Sequence, residues 1–168
     1  MSSIPFFVCA LFCAANLTQT RADESSVAPA AAAEADSPVY AAVEGLDFVT
    51  QARPAKDAKY YIILESASWC PPCRNEMPKI VREYPELRKA GVELIQISHD
   101  RNLETAQKWA EAEHVPFAVI APNANKRPPS PLPWSRGIPN MHILNNKGEV
   151  LVANHPGILL PKWREYCK

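Results

Sequence analysis

Residues 60 to 74 read YYIILESASWCPPCR, and the order of side chains within them decides the fold. Tyr60 to Leu64 is a short aromatic and β-branched run, the composition of a central strand buried on both faces. The run ends at Ser66-Ala67-Ser68. A helix is predicted from Cys70, because Pro71 and Pro72 suit a first turn whose amides have no intrahelical acceptor. Cys70 and Cys73 then stand one helical turn apart, the first at the helix N-terminus and the second inside it. The positive end of the helix dipole favours a thiolate at Cys70, lowering its pKa from about 8.5 toward about 7. Cys73 is close enough to close a disulfide with it. Strand, aromatic Trp69, paired cysteines and helix coincide, which points to thiol redox chemistry.

Working outward, Ile80, Val81, Tyr84 and Leu87 recur at helical spacing until Gly91 supplies the stop. Pro78 and Pro85 interrupt the ladder, and a kink is expected near Pro78. Val92 to Ser98 is a second strand. Asn102 can cap a helix over Leu103 to His114, with Leu103, Ala106, Trp109 and Ala110 on one face. Val115 to Ile120 is a third strand. Met141 to Leu144 and Val150 to Ala153 are strands joined by the hairpin turn Asn145-Asn146-Lys147-Gly148, and a short helix spans Leu159 to Tyr166. Asp47 to Thr50 is a candidate edge strand. This order implies an α/β fold, a central mixed sheet flanked by helices on both faces.

The chain has 168 residues, 47% apolar and 21% charged, enough for one well-buried core. Eighteen basic residues balance eighteen acidic ones, so the overall charge does not suggest a nucleic-acid partner or a polybasic membrane-surface protein. Of the seventeen prolines, four fall in Pro128-Pro129-Ser130-Pro131-Leu132-Pro133. That run reads as a polyproline-like, stiff surface insertion between the third and fourth strands.

Ile4 to Leu17 is almost wholly apolar but shorter than the roughly 20 residues a membrane-spanning helix needs. It reads as a secretory signal peptide within residues 1–22, although no Lys or Arg precedes it. Cleavage is expected after Cys13-Ala14-Ala15 or after Thr20-Arg21-Ala22. The Ala-rich tract 23–38 reads as a disordered linker, leaving 39–168 as the folded domain. Export to a periplasmic or extracellular location follows, with membrane contact only if the signal stays uncleaved. Two of the five cysteines, Cys9 and Cys13, leave with the signal; Cys70, Cys73 and Cys167 remain. Cys167, second from the end, is expected to be exposed and idle or to pair between chains.

Ser66 to Arg74 closely resembles the active-site stretch of tryparedoxins and nucleoredoxins, and Glu76-Met77-Pro78 resembles exported bacterial thioredoxins of the TlpA/ResA type. Both branches belong to the thioredoxin superfamily. Arg136-Gly137-Ile138-Pro139, followed by a strand and Lys147-Gly148-Glu149-Val150, resembles the cis-proline loop of thioredoxins and the hairpin after it. The likeness covers about Tyr60 to Asn154. It implies a cis Pro139 against the Cys70 sulfur, and a substrate platform made of Trp69 and the Ile138 backbone. It also implies thiol–disulfide exchange in which Cys70 attacks a substrate disulfide and Cys73 resolves the mixed disulfide. The partners implied are a disulfide-containing protein substrate and an upstream thiol–disulfide electron donor, with no cofactor.

One departure concerns proton transfer. Thioredoxins carry a buried Asp six residues before the first active-site cysteine, where this chain has Leu64. Glu65 should point to the opposite face of its strand, so Glu65, Glu76 or water could serve Cys73. Because neither Pro71 nor Pro72 offers an amide N–H to the Cys70 thiolate, the reduced form is less stabilised and a reductase is expected.

Three other readings compete. A metal-binding module could use the CxxC with a nearby His, but there is no second CxxC, and His99, His114, His142 and His155 lack ligand spacing. Each histidine is expected at the surface or partly buried. A thiol peroxidase would make Cys70 peroxidatic, but the Thr-x-x-Cys arrangement is missing. A non-enzymatic binding domain would have no need of an intact CxxC.

Overall fold

The computed structural model describes residues 37–123 and 127–168. The expected signal segment 1–22, and the expected linker apart from its last two residues, lie outside the described residues. Ser37 and Pro38 correct the linker boundary, because they open a helix that the sequence pattern did not reveal, α1 (Pro38–Val43). The Ser37 hydroxyl accepts the Val39 N–H and donates to the Asn146 carbonyl 2.7 Å away, tying the helix start to the hairpin turn.

The remaining elements are β1 (Tyr60–Ser66), α2 (Pro71–Lys89), β2 (Val92–Ser98), α3 (Leu103–Ala112), β3 (Ala118–Ile120), β4 (Asn140–Asn145), β5 (Val150–Asn154), α4 (Pro156–Leu159) and α5 (Trp163–Tyr166). The strands form one five-stranded sheet in the order β3-β2-β1-β4-β5. β1 pairs parallel with β2 and antiparallel with β4, so the sheet is mixed. Helices cover both faces in a thioredoxin-like α/β fold.

Alternation along β1 divides the core. Ile62 and Leu64 face the layer containing Met77, Ile80, Leu87, Leu159 and Trp163, whereas Tyr61 and Ile63 face Val39, Val43, Ile95 and Leu132. β1 also lies between its parallel and antiparallel neighbours, where the chain order reverses direction across the sheet. In open α/β sheets the crevice beyond the strand ends at such a point is the usual ligand position.

Several expected boundaries change for local reasons. α2 runs without a break through Pro78 and Pro85, held by the buried Met77, Ile80 and Leu87 on one face. α3 stops at Ala112, since Glu113 caps it and His114 takes a left-handed conformation with φ +51°. Leu103, expected on its apolar face, is exposed, while Ala106, Trp109 and Ala110 are buried. β3 contracts to Ala118–Ile120, beyond Pro116, which has no N–H for a ladder. Asp47 to Thr50 contributes an isolated bridge, Phe48 opposite Ile120, with Val49 N–H donating to the Val119 carbonyl at 2.7 Å. The expected last helix divides into α4, a 3₁₀ turn (Leu160–Lys162) and α5, with Pro161 interrupting the ladder. The proline-rich loop is more than a surface insertion: Leu132 is buried in the second core layer, and Pro131 presses on Gly148.

Gly148 makes a stability prediction. Its φ is +83°, and a Cβ there would lie 2.6 Å from Pro131 Cγ. At Gly91, φ +75°, a Cβ would meet only the Lys59 side chain at 3.4 Å. Gly91→Ala is expected to cost about 1 kcal/mol from backbone conformation alone. Gly148→Ala should cost about 2–4 kcal/mol, because overpacking adds to the same strain. Urea midpoints of the two variants, measured side by side, check the order.

Candidate active site

The geometry follows from the first turn of α2. Cys70 is its N-cap in extended conformation, and Pro71 and Pro72 occupy the first two helical positions. Cys70 and Cys73 are joined in a disulfide with Cα atoms 5.2 Å apart. Cys70 Sγ accepts the Cys73 N–H at 3.4 Å, the backbone donor the helix end supplies to it. Both cysteines are buried in the first core layer.

Across from the sulfur lies the segment before β4. The Ile138–Pro139 peptide bond is cis, and the Ile138 carbonyl oxygen is 3.8 Å from Cys70 Sγ. This is a contact and not a hydrogen bond, since a disulfide sulfur carries no proton. On the other side Trp69 is 57% exposed, with its indole N–H donating to the His99 carbonyl at 3.1 Å. Asp100 holds the same turn: its carboxylate accepts the Ser68 N–H and hydroxyl at 3.0 and 2.6 Å and the Ser98 hydroxyl at 2.9 Å. The motif-based reading did not identify this clamp, because nothing in a sequence pairs Ser68 with a carboxylate 32 positions away.

The two glutamates of the sequence reading have different surroundings. Glu76 sits one turn beyond Cys73 on the same helix. Its Oε1 bonds Lys79 Nζ at 2.9 Å, while Oε2 is buried with no hydrogen-bond partner among the described residues. α4 closes over it; a Cβ on Gly157 would lie 3.2 Å from Glu76 Oε1. Glu65 does face away from Leu64, but it is neither solvated nor a helix cap. It is 0% exposed, and both oxygens are bound on the far side of the sheet from the cysteines' layer. The Ser135 N–H donates to both at 2.9 Å, His99 Nε2 is 3.0 Å from Oε2, and His142 Nε2 is 3.1 Å from Oε1.

Burial works to raise the Glu65 pKa, yet hydrogen bonds from His142, His99 and Ser135 outweigh it and hold the carboxyl down at about 2. An ionised carboxylate only accepts, so each Nε2 carries its proton. The stability tied to this group is complete above its ordinary pKa of 4.5 and is lost as pH falls toward about 2. His142 is buried and His99 nearly so; the ring of His99 stacks on Trp134 at 4.2 Å. Among the described residues no group of three His, Cys, Asp or Glu is arranged to hold a metal ion. His155 caps α4, its Nδ1 accepting the Gly157 N–H.

Cys167 also departs from expectation. Instead of lying exposed at a frayed end, it packs against the first core layer, where burial pushes its thiol up to about 11. The terminus is held by the Trp163 indole N–H donating to Glu83 at 2.8 Å.

A model of the AhpC/TSA family matches residues 46–126. Nucleoredoxin of Xenopus laevis is 31% identical over 99 residues, covering 56% of this chain and 23% of that protein. Thiol-disulfide oxidoreductase ResA of Halalkalibacterium halodurans is 25% identical over 91 residues, covering 54% of this chain and 51% of that protein. The chain therefore spans under a quarter of the one and about half of the other. Among solved structures, a putative thiol:disulfide interchange protein DsbE from Chlorobium tepidum superposes with a TM-score of 0.55 at 18% identity, covering 72% of this chain and 96% of that one. A thiol-disulfide oxidoreductase from Bacteroides fragilis gives 0.52 at 18% identity, covering 64% and 81%. These structures speak to the fold. The chain has a thioredoxin-like α/β fold with a disulfide-bonded CXXC pair at the head of α2.

Proposed function

We propose that this chain reduces disulfides in partner proteins through the Cys70–Cys73 couple, in an exported compartment. The observation that carries the reading is the pairing of those cysteines at the head of α2, with the Ile138 carbonyl 3.8 Å from the first sulfur. In the reduced protein Cys70 is the attacking thiolate, favoured by the helix end and the Cys73 N–H. Its attack breaks the substrate disulfide, forms a Cys70–substrate bond and expels one substrate thiolate. Cys73, deprotonated, then attacks Cys70 Sγ and expels the second thiolate. Two electrons pass to the substrate, and the pair is left oxidised. A thiol donor upstream must return them, and no cofactor is required. Trp69, Ile138 and Pro139 form the substrate platform, with the Ile138 backbone offering strand-like hydrogen bonds to an extended polypeptide. The apolar run Ile4 to Leu17 supports export.

The test mixes pre-reduced protein with a cystine peptide. One disulfide reduced per protein oxidised supports the reading; no reaction with the peptide but rapid oxidation by hydrogen peroxide would replace it with a thiol peroxidase.

Glu76 takes the Cys73 proton in this scheme. It lies on the same helix face, and its Oε2 has no competing partner among the described residues. Glu76→Gln keeps shape but removes the base, and is expected to slow release of the mixed disulfide about 100-fold, the lower end of general-base contributions. Formation of the mixed disulfide should be unchanged. Rapid-quench measurement of the two steps separates them.

A further inference from the structure

Glu65 is a charged group with no solvent exposure, no lysine or arginine on its carboxylate among the described residues, and no part in the exchange chemistry. A buried carboxylate is expensive unless its hydrogen bonds are complete. Here they are complete, and each comes from a different segment reaching the active-site end of the sheet. Ser135 belongs to the strap that runs through Ile138 to Pro139, and its N–H donates to both Glu65 oxygens. His99 follows β2; its ring donates to Glu65 and stacks on Trp134, while its carbonyl receives the Trp69 indole N–H. His142, on β4, donates to Glu65 and lies 3.0 Å from the Ser135 hydroxyl, which also accepts from Asn140 Nδ2 at 2.7 Å. Glu65 itself is the last but one residue of β1, leading directly into Cys70.

Ser135 lies in no strand and its N–H goes to Glu65, so no sheet ladder fixes it. His99, just past β2, has its N–H on the Ser66 carbonyl at 2.9 Å, while its ring is set by Glu65 and Trp134. Hydrogen bonds to a desolvated charge are stronger than those to a neutral acceptor, and they hold the Ser135 strap and the His99 ring where backbone pairing does not.

We propose that Glu65 is a positioning residue for substrate: through one carboxylate it sets the Ile138 strap relative to the Cys70 sulfur and, by way of the His99 ring, adds to the Asp100 clamp and the Ser66 backbone bond that hold the Trp69 indole. An extended polypeptide is then held at its backbone by Ile138 and against its side chains by Trp69 while its disulfide is attacked. This rests on the disulfide-reducing reading above and adds a determinant of protein-sized substrates to it. A small dithiol makes no use of the platform, so its exchange with Cys70–Cys73 does not depend on Glu65.

The experiment compares native protein with Glu65→Gln and His99→Phe. The first keeps the shape of Glu65 and removes its charge. The second keeps the ring stacked on Trp134 and the carbonyl on Trp69 but removes the donor to Glu65. Circular dichroism and thermal melts establish folding, and His99→Phe carries the test if Glu65→Gln does not fold. For each folded variant KM and kcat are measured with a cystine peptide, alongside the rate of reduction by dithiothreitol and the potential against glutathione. Glu65→Gln is expected to raise KM roughly tenfold, the scale of one charge-assisted hydrogen bond, with His99→Phe moving in the same direction. The kcat, dithiothreitol rate and potential should stay close to native. Unchanged KM in the folded variants, or peptide and dithiothreitol rates falling together, would overturn the proposal while leaving disulfide reduction standing. Failure of the native protein to turn over the peptide overturns both.

Discussion

Cys73→Ser protein, reduced and offered a disulfide-containing partner, is expected to stop as a covalent complex held on Cys70, whereas Cys70→Ser should form none. The difference comes from where the two sulfurs sit. Cys70 caps α2, and its sulfur receives the Cys73 N–H. In the proposed exchange that environment stabilises a thiolate and makes Cys70 the attacking group. Cys73 lies within the first turn and is almost fully buried, placed to reach Cys70 and not an incoming protein. With serine at 73 the first exchange proceeds and the second has no nucleophile. With serine at 70 turnover should fall on the order of a thousandfold or more, as for loss of other covalent nucleophiles. Non-reducing gels followed by mass spectrometry of the trapped species read both results and identify the partner. Capture through Cys167 is a poor competitor, because burial raises that thiol to about 11 and leaves little thiolate at neutral pH.

Replacing Pro71-Pro72 with Gly-His is expected to raise the potential of the couple by about 30–60 mV. For two electrons, 30 mV corresponds to about 1.4 kcal/mol, and a hydrogen bond to a charged group contributes about 1.5–3 kcal/mol. The native helix start gives Cys70 Sγ the Cys73 N–H, while both intervening residues are prolines without an N–H. Gly-His restores two donors in the turn where the sulfur charge is held. That favours the thiolate, hence the reduced protein, hence a stronger oxidant. Equilibration with glutathione buffers measures the potential, and an unchanged or lower value would sink the argument. The same replacement should slow reduction of a cystine peptide and speed the reverse reaction.

The paired cysteines and the strand before them were legible because they are local. A buried strand needs a run of apolar residues, and a helix start admits prolines where no intrahelical amide bond exists. Both facts lie within residues 60–74. Elements failed where a neighbour decided them. α1 is six residues long, with too few turns for a periodic pattern, and it exists because Ser37 bonds Asn146 and Val39 and Val43 find the second core layer. β3 lost its first residues to Pro116, whereas α2 tolerated Pro78 and Pro85 because its buried face is long.

What the sequence determined by itself is the reactive pair: two cysteines at helical spacing, behind a buried strand, with no amide donors between them. Tertiary structure alone decided what surrounds that pair. Glu65, His99, Ser135 and His142 are scattered over a span of 77 positions, and nothing in the sequence pairs any one of them with another. Their meeting depends on β1 lying between β2 and β4, so that the ends of three strands and one strap reach the same place. A desolvated carboxylate there must find every one of its donors, and only the fold can bring them together.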